Sequence, residues 1–329
     1  MPPFWVSLVA DRVYPSQMCE ISVVIPAFNA APYLRETVAS VLSSNSVKTE
    51  IVIVDDGSTD QTVEVAHQLM LEYPKAIHVI EQKNAGVSVA RNTGFSRARA
   101  PAVCFLDADD ILRPDALATL KTLLDQDAKC IAAYGSVAYI DQDSKPLRFR
   151  PKRTPLPSGN LLASILEGNL IDTPGAVLFR SSAVDCAGMF KAGLRRSQDW
   201  EFYVRMAQQG TFASYHGVVL DYRLHSKSLS HESSTAGTFD EALSLAFSSV
   251  RDAGALPEHL LRRLEARRRA STLRLIAIRS HSLSATTLAA MLRLCLSSGL
   301  DGRVLRTTLR TTFSALKSQI TPKYLRRKV

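Results

Sequence analysis

Long apolar runs are missing from this 329-residue chain. None approaches the roughly 18 residues of a membrane-spanning helix, so no span is expected. The opening Met1 to Ala10 is apolar but carries no basic leader and no clear cleavage site, which argues against a secretory signal. Residues 1–18 read instead as a poorly ordered extension before the first strand, or as a misassigned start. Cysteine is scarce too. The five present (Cys19, Cys104, Cys130, Cys186 and Cys295) are odd in number and widely spaced, which fits neither a disulfide framework nor a zinc site. Small core residues in a reducing compartment are the simpler reading. There is no internal repeat, no low-complexity tract, no dinucleotide-binding fingerprint and no Walker-type lysine loop. The last two absences count against a nicotinamide enzyme and a P-loop NTPase.

What is present has the composition of an ordinary globular protein, 46% hydrophobic and 22% charged. The net charge of +9 is uneven: from residue 240 onward there are seventeen Lys and Arg against six Asp and Glu, so the remainder is slightly acidic. The basicity therefore belongs to the tail.

Residues 20–110 repeat a strand–helix rhythm. Strands are expected at 21–25, 50–54, 77–81 and 102–106, and helices at 32–42, 60–72 and 87–97, so the class is α/β with a mixed, mainly parallel sheet flanked by helices. A helix at 114–125 and a strand at 131–140 follow. The Pro-, Lys- and Arg-rich stretch 141–160 reads as a loop or edge strand. Further elements are a short helix at 161–166, a strand at 176–179, a helix at 199–208 and two strands at 211–215 and 218–224. Beyond 239 the pattern is helical, with helices near 240–252, 257–279, 284–297 and 303–317.

Carboxylates gather where these strands end. Asp55-Asp56 follows Ile51-Val52-Ile53-Val54, and Asp107-Ala108-Asp109-Asp110 follows Val103-Cys104-Phe105-Leu106. The carboxyl ends of strands are where open α/β sheets bind ligands. Like charges there need a cation or hydrogen-bond donors to offset them. Asp55-Asp56-Gly57-Ser58-Thr59-Asp60 can accept bonds from a ribose or base, though a capped strand-to-helix turn would account for it equally. Asn84-Ala85-Gly86 opens the third helix, where a ligand can approach closely. Arg91 on that helix can meet phosphate or pair with the acidic turn. Asp107 and Asp109, one residue apart, can converge on one Mg²⁺ or Mn²⁺ that keeps positions open for diphosphate oxygens.

Taken in order, Val23-Val24-Ile25-Pro26-Ala27-Phe28-Asn29, the Asp55–Asp60 turn, Asn84-Ala85-Gly86-Val87-Ser88-Val89-Ala90-Arg91-Asn92 and the acid loop ending in Ile111 resemble a family 2 glycosyltransferase of GT-A fold. The resemblance covers residues 20–230, and the motifs are specific as a set. It implies an inverting transferase that moves a sugar from a nucleotide-sugar, usually UDP-linked, to an acceptor hydroxyl. Asp56 would hold the base or ribose, with Pro26, Phe28 and Asp55 lining the same pocket and Asn84, Gly86, Arg91 and Asp107 completing the donor site. Asp107 and Asp109 would form the metal motif, with Asp109 the direct ligand and His225 added to it. The family's Glu-Asp motif becomes Gln198-Asp199 here, and Asp199 would be the catalytic base, unless it only caps its helix. Glu201 is the fallback. In Tyr222-Arg223-Leu224-His225-Ser226-Lys227, any of His225, Arg223 or Lys227 would approach the diphosphate.

The resemblance implies a catalytic domain at 19–235, its nucleotide-binding half 19–110 and acceptor half 111–235, followed by a basic helical region at 236–329. The acceptor would be a glycan, a lipid-linked oligosaccharide or a protein, in cell-surface polysaccharide or other cell-envelope synthesis. Basic helices such as Arg262-Arg263-Leu264-Glu265-Ala266-Arg267-Arg268-Arg269 suit peripheral contact with anionic membrane at its cytoplasmic face. They suit a packed appendage or dimer contact as well. Nucleic-acid binding is not expected, because no aromatic-interleaved module accompanies the charge. Two alternatives stand beside this reading: an inactive scaffold of the same fold, and an aspartyl-phosphate phosphotransferase. The second places its acid pair after the first strand, whereas here the pair follows the fourth.

Overall fold

The structure is a computed structural model, and it describes residues 19–44, 46–147, 155–194, 196–225 and 237–279. The expected extension at 1–18, Lys227, Cys295, the helices at 284–297 and 303–317, and the terminal basic cluster lie outside the described residues. The chain divides into two compact units, Met1–Leu162 with Asn169–Ser226, and Ala163–Gly168 with Lys227–Val329.

The first unit is built on one sheet. Its strands are β1 (Ile21–Ala27), β2 (Thr49–Asp55), β3 (Ile77–Glu81), β4 (Ala102–Phe105), β5 (Ile111–Leu112), β6 (Cys130–Ile140), β7 (Pro146–Leu147), β8 (Val177–Arg180) and β9 (Thr211–Arg223). They run side by side in the order β3-β2-β1-β4-β8-β6-β9-β5, with β7 attached to β6. β1 pairs in parallel with β2 and β4, β2 with β3, and β6 with β9; β8, β5 and β7 run against their neighbours. All seven residues of β1 are buried, because a central parallel strand is covered on both faces.

Helices supply those covers. Along α1 (Ala31–Leu42) the buried Leu34, Thr37, Val38 and Val41 recur at helical spacing, as do Thr62, Ala66 and Leu69 of α2 (Thr62–Glu72). With α4 (Ala116–Asp125) they cover one face, packing on Val23, Ile25, Ile51 and Ile53. α3 (Val87–Arg97) covers the other, where Val52 and Val54 meet Ala90. Its approach is close: a Cβ on Gly94 would stand 2.4 Å from Val24 Cγ1 and 3.1 Å from Val54 Cγ2. On the same face Phe105 sits among Phe95, Phe179, Phe190 and Phe202. The remaining elements of this unit are α6 (Ser181–Ala187) and α7 (Gln198–Met206). The short α5 (Leu162–Glu167) belongs largely to the second unit, whose other described helices are α8 (Gly237–Asp252) and α9 (Glu258–Arg279).

Two strands expected at 211–215 and 218–224 are one, β9. Its pairing to β6 steps from Tyr134↔Ser214 to Ser136↔Val218, so Tyr215, His216 and Gly217 form an irregular outward excursion. The polar residues there look like a break in sequence, yet the strand resumes pairing with the same partner in a shifted register. The brief β5, β7 and α6 have no periodicity long enough to be read.

Gly94→Ala is expected to destabilise the fold by about 1–3 kcal/mol although alanine favours helix, because the stiff Val24 side chain has no room to yield. Urea unfolding of the two proteins checks this, and equal midpoints would contradict the close α3–β1 contact.

Candidate active site

At the carboxyl edge of β1 and β2, the chain is tied by side chains that bond backbone. Asn29 adopts the left-handed region (φ 52°); its amide N–H donates to Ser58 Oγ at 3.0 Å, and its Oδ1 accepts from Thr59 N–H at 2.8 Å. Asp55 Oδ2 accepts the N–H groups of Gly57 and Ser58, each at 3.0 Å, while its buried Oδ1 has no protein partner. Gly57 is required by geometry: its φ is +73°, and a Cβ would lie 2.8 Å from Asn84 N. Asp56 accepts from Gln82 Nε2 (2.7 Å), Ala85 N–H (2.9 Å) and Gly86 N–H (2.8 Å). It thereby shapes the Asn84–Gly86 turn that starts α3. Pro26 is buried within β1, whereas the Phe28 ring beyond it is 51% exposed.

The loop after β4 brings four elements together. Thr37 of α1 donates to Ala108 O at 2.9 Å, and Arg223 at the end of β9 donates from Nε to Asp109 O at 2.7 Å. The Arg223 side chain is 1% exposed. It also bonds Glu36 Oε2 (2.7 Å), Ser144 Oγ (2.9 Å) and the carbonyls of Asp141 and Gln142 (3.2 Å each), and lies over the Tyr33 ring. Its guanidinium is a clamp for the loop, and the expectation that it approaches a diphosphate is not met. Asp110 is buried and accepts Arg223 N–H at 3.0 Å. Burial first, then the charges of Asp109 and Asp107, push its carboxyl well above the usual range. Asp109 Oδ2 lies 2.8 Å from His225 Nε2, and the imidazole packs on Tyr33.

Arg91 occupies the centre. Its side chain is 3% exposed and reaches Asp107 Oδ1 at 2.7 Å with one terminal nitrogen and Asp199 Oδ1 at 2.6 Å with the other. Burial opposes the charge on the guanidinium, and the two carboxylates outweigh it and raise its pKa. Burial raises Asp107, and Arg91 pulls it back. Of the two sequence readings of Arg91, the pairing with acids is the one present. Next to it, Asn92 exchanges hydrogen bonds with the Phe190 backbone, 2.8 and 3.0 Å, and fixes α3 against the segment leading to α7.

Asp199 lies in the first turn of α7 with its side chain 31% exposed, beside a buried Trp200. Among the described residues only its Oδ1 is bonded, to Arg91, so Oδ2 is left for another partner. Glu201 is 1% exposed and paired with Arg205 through two contacts of 2.7 and 2.8 Å. That leaves the fallback base engaged in structure. On the same face, one turn on, the Tyr203 hydroxyl is buried without a hydrogen-bond partner; burial first and the nearby Asp199 next raise its pKa.

Thus the structure gathers Asp107, Asp109, Arg91, Asp199 and His225 at one edge, with Asp55, Asp56, Asn84, Gly86, Pro26 and Phe28 along the adjoining β1–β2–β3 ends. Sequence reading missed Asn29, Glu36, Thr173 and Tyr203. Asn29 within the first motif was the one legible signal; Thr173, whose hydroxyl lies 3.5 Å from Asp107 Oδ2, has no motif around it. The four described cysteines are free. Cys104 and Cys130 are buried, as expected of core residues, while Cys186 is exposed.

Residues 22–188, just over half of the chain, match the model of the family described as Glycosyl transferase family 2. Among curated proteins, the uncharacterized glycosyltransferase YibD of Escherichia coli is 40% identical over 108 residues, 33% of this chain and 31% of that protein. The putative teichuronic acid biosynthesis glycosyltransferase TuaG of Bacillus subtilis is 35% identical over 128 residues, 39% of this chain and 50% of that protein. Chondroitin synthase of Escherichia coli is 26% identical over 210 residues, 64% of this chain and 30% of that protein. The chain thus spans half or less of the length of these relatives. Of solved structures, S. aureus TarS 1–349 in complex with UDP-GlcNAc superposes with a TM-score of 0.72 at 17% identity, covering 91% of this chain and 90% of that one. The mannosyltransferase PcManGT from Pyrobaculum calidifontis, in complex with GDP-Man and Mn²⁺, gives 0.58 at 18% identity over 94% of this chain and 89% of that one. At such identities the likeness concerns fold, and it bears out the expected GT-A arrangement.

Arg223→Leu is expected to cost about 3 kcal/mol, since it strands three carbonyls and removes the partner of Glu36 and Ser144 at once. Thermal or urea unfolding measures it. A loss below about 1 kcal/mol would mean that the clamp does not hold the loop.

Proposed function

The chain belongs to glycosyl transferase family 2, and on that premise we propose that it is an inverting glycosyltransferase that passes a sugar from a UDP-linked donor to an acceptor hydroxyl in cell-surface polysaccharide or glycoconjugate synthesis. The observation that carries this reading is Asp199: a carboxylate 31% exposed and bonded to Arg91 through one oxygen, facing the acid loop at the carboxyl edge of the sheet. TarS with UDP-GlcNAc and PcManGT with GDP-Man, which share the fold, support a nucleotide-sugar as donor. TuaG and chondroitin synthase support a polysaccharide product.

The donor would lie over the ends of β1–β3, its base against the exposed Phe28 and beside Pro26, Asp55 and Asp56, where the free Asp55 Oδ1 can accept a hydrogen bond. Its diphosphate would point towards Gly86 and the acid loop. Asp107, Asp109 and His225 offer two carboxylates and an imidazole, a donor set that suits Mn²⁺ or Mg²⁺. Among the described residues no three such groups are already gathered on one point. We read the cation as one shared between these residues and the donor's diphosphate oxygens. When bound there, the cation would stabilise the charge on the departing nucleoside diphosphate. Asp199 Oδ2 would take the proton of the acceptor hydroxyl, while Arg91 keeps Oδ1 still. A single displacement from the face opposite the nucleotide inverts the anomeric centre, by the logic that separates inverting from retaining glycosidases.

The described helices include none long and apolar enough to cross a membrane. Within the second unit the basic stretch is partly balanced: Arg262 pairs with Glu258 (2.8 Å), Arg267 with Glu167 (2.7 Å) and Arg269 with Glu265 (2.9 Å). These pairs offset part of the charge that a lipid surface would meet.

A donor screen read by released nucleotide, with and without EDTA, tests the reading. Turnover is expected with a UDP-sugar, lost in EDTA and restored by Mn²⁺. Asp199→Asn should lower transfer by about 10²–10⁴-fold and leave metal-free UDP affinity within about three-fold. Turnover by that variant within a few-fold of wild type would remove Asp199 from the role of base.

A further inference from the structure

We propose that Arg91 is a positioning residue that couples the metal seat to the base, because one fixed guanidinium serves as counterion to both. The inference rests on the glycosyltransferase reading and deepens it. It starts from three features of the geometry. The guanidinium is immobile: its side chain is 3% exposed, Phe190 lies beneath it at 5.1 Å, and the reciprocal Asn92–Phe190 bonds hold its helix in place. Its two terminal nitrogens go to different carboxylates, Asp107 on the loop after β4 and Asp199 on α7, while Nε has no acceptor among the described residues. The acids are the more exposed partners, with side chains 28% and 31% exposed.

One positive charge against two negative ones leaves the pair of acids under-neutralised, and Asp109 adds to the deficit. A divalent cation at Asp107 and Asp109 is therefore attracted to the cluster. It would also draw on the Asp107 charge that Arg91 shares, through Oδ2, which meets Thr173 at 3.5 Å, and sit near a fixed like charge. Arg91 thus weakens the cation's hold while it steadies the base. As Asp107 gives part of its charge to the cation, the guanidinium leans further towards Asp199, and the base is held most firmly when the donor's metal is in place. The coupling is reciprocal, as any linkage between two binding equilibria is. A phosphate contact, the other role open to an arginine here, has the opposite signature, since its loss weakens nucleotide binding and gives nothing back in metal affinity.

The test uses Mn²⁺ alone as probe, its affinity followed by the spin-resonance signal of the free ion, beside steady-state transfer and UDP binding in EDTA. Arg91→Met is expected to bind Mn²⁺ about ten-fold more tightly while kcat falls by about 10²-fold or more with donor KM changed less than three-fold. Arg91→Lys restores the charge without the fork, so Mn²⁺ affinity should return to that of the wild type while kcat stays low. Asp199→Asn should weaken Mn²⁺ binding about three-fold when Arg91 is present and leave it unchanged in the Arg91→Met background, because the effect passes through the guanidinium; a double-mutant cycle measures this. Equal effects of Asp199→Asn in both backgrounds would reduce the link to a through-space field and overturn the proposal. Unchanged or weaker Mn²⁺ binding by Arg91→Met, together with a ten-fold loss of UDP affinity, would overturn it in favour of a phosphate contact. Should Arg91→Met fail to fold, Arg91→Lys and Asp199→Asn carry the decision through the same split between affinity and kcat. A wild-type protein that binds Mn²⁺ with these couplings and turns over no donor would sink the transferase reading and leave the coupling standing.

Discussion

Crowding of carboxylates along one sheet edge is the constraint to which the rest of this protein answers. Asp55, Asp56, Asp107, Asp109, Asp110 and Asp199 converge because parallel strands deliver their carboxyl ends to the same side. Left alone they would repel and draw in water. They are instead separated by donors of two kinds. Backbone N–H groups take Asp55 and Asp56, and two buried guanidiniums, Arg91 and Arg223, take the others or hold the loop that presents them. Each arginine is enclosed by aromatic rings on at least one side, Phe190 under Arg91 and Tyr33 under Arg223. This keeps solvent from screening the attraction that offsets the crowding.

The two arginines also show what could be read from the chain and what could not. Strand ends, helix starts and the placing of acids between them follow from runs such as Ile51–Val54 and from turn residues such as Gly57, since burial and backbone conformation are local demands. The partner of a buried charge is not a local matter. Arg91 lies 108 residues from Asp199, and Arg223 lies 187 from Glu36. No periodicity connects them. Arg91 is therefore ambiguous between phosphate and acid in the sequence, and Arg223, one of three residues there offered as approaching the diphosphate, has its guanidinium engaged by the loop. β9 was split at Tyr215–Gly217 for a related reason. A bulge satisfies its polar residues at the surface, and only the partner strand shows that pairing continues on the far side.

The carboxylates that share a motif do different things. Asp55 keeps an unpaired buried oxygen, whereas its neighbour Asp56 has both oxygens engaged by Gln82 and the 85–86 backbone. One is left with capacity to accept from a ligand, and the other holds the turn against which that ligand would rest. The same division recurs on α7: Asp199 is held by one oxygen only, and Glu201, two residues on and facing inward, is closed off by Arg205. Residue type marks a group as able to bind or to take a proton; its remaining lone pairs decide whether it is free to.

The reach of Arg223 has a consequence for how this molecule comes into being. It stands at the end of β9, the last strand of the sheet in chain order, and it fastens the acid loop to α1, the first helix. The loop therefore lacks its final shape until nearly the whole first unit has been made and closed. Contacts over such separations form slowly, because the loop-closure entropy precedes any gain from the contact. The edge is not a patch added to a finished scaffold. It matures with the last turn of the lock, so a partly folded chain has these acids in its sequence without having them at one edge.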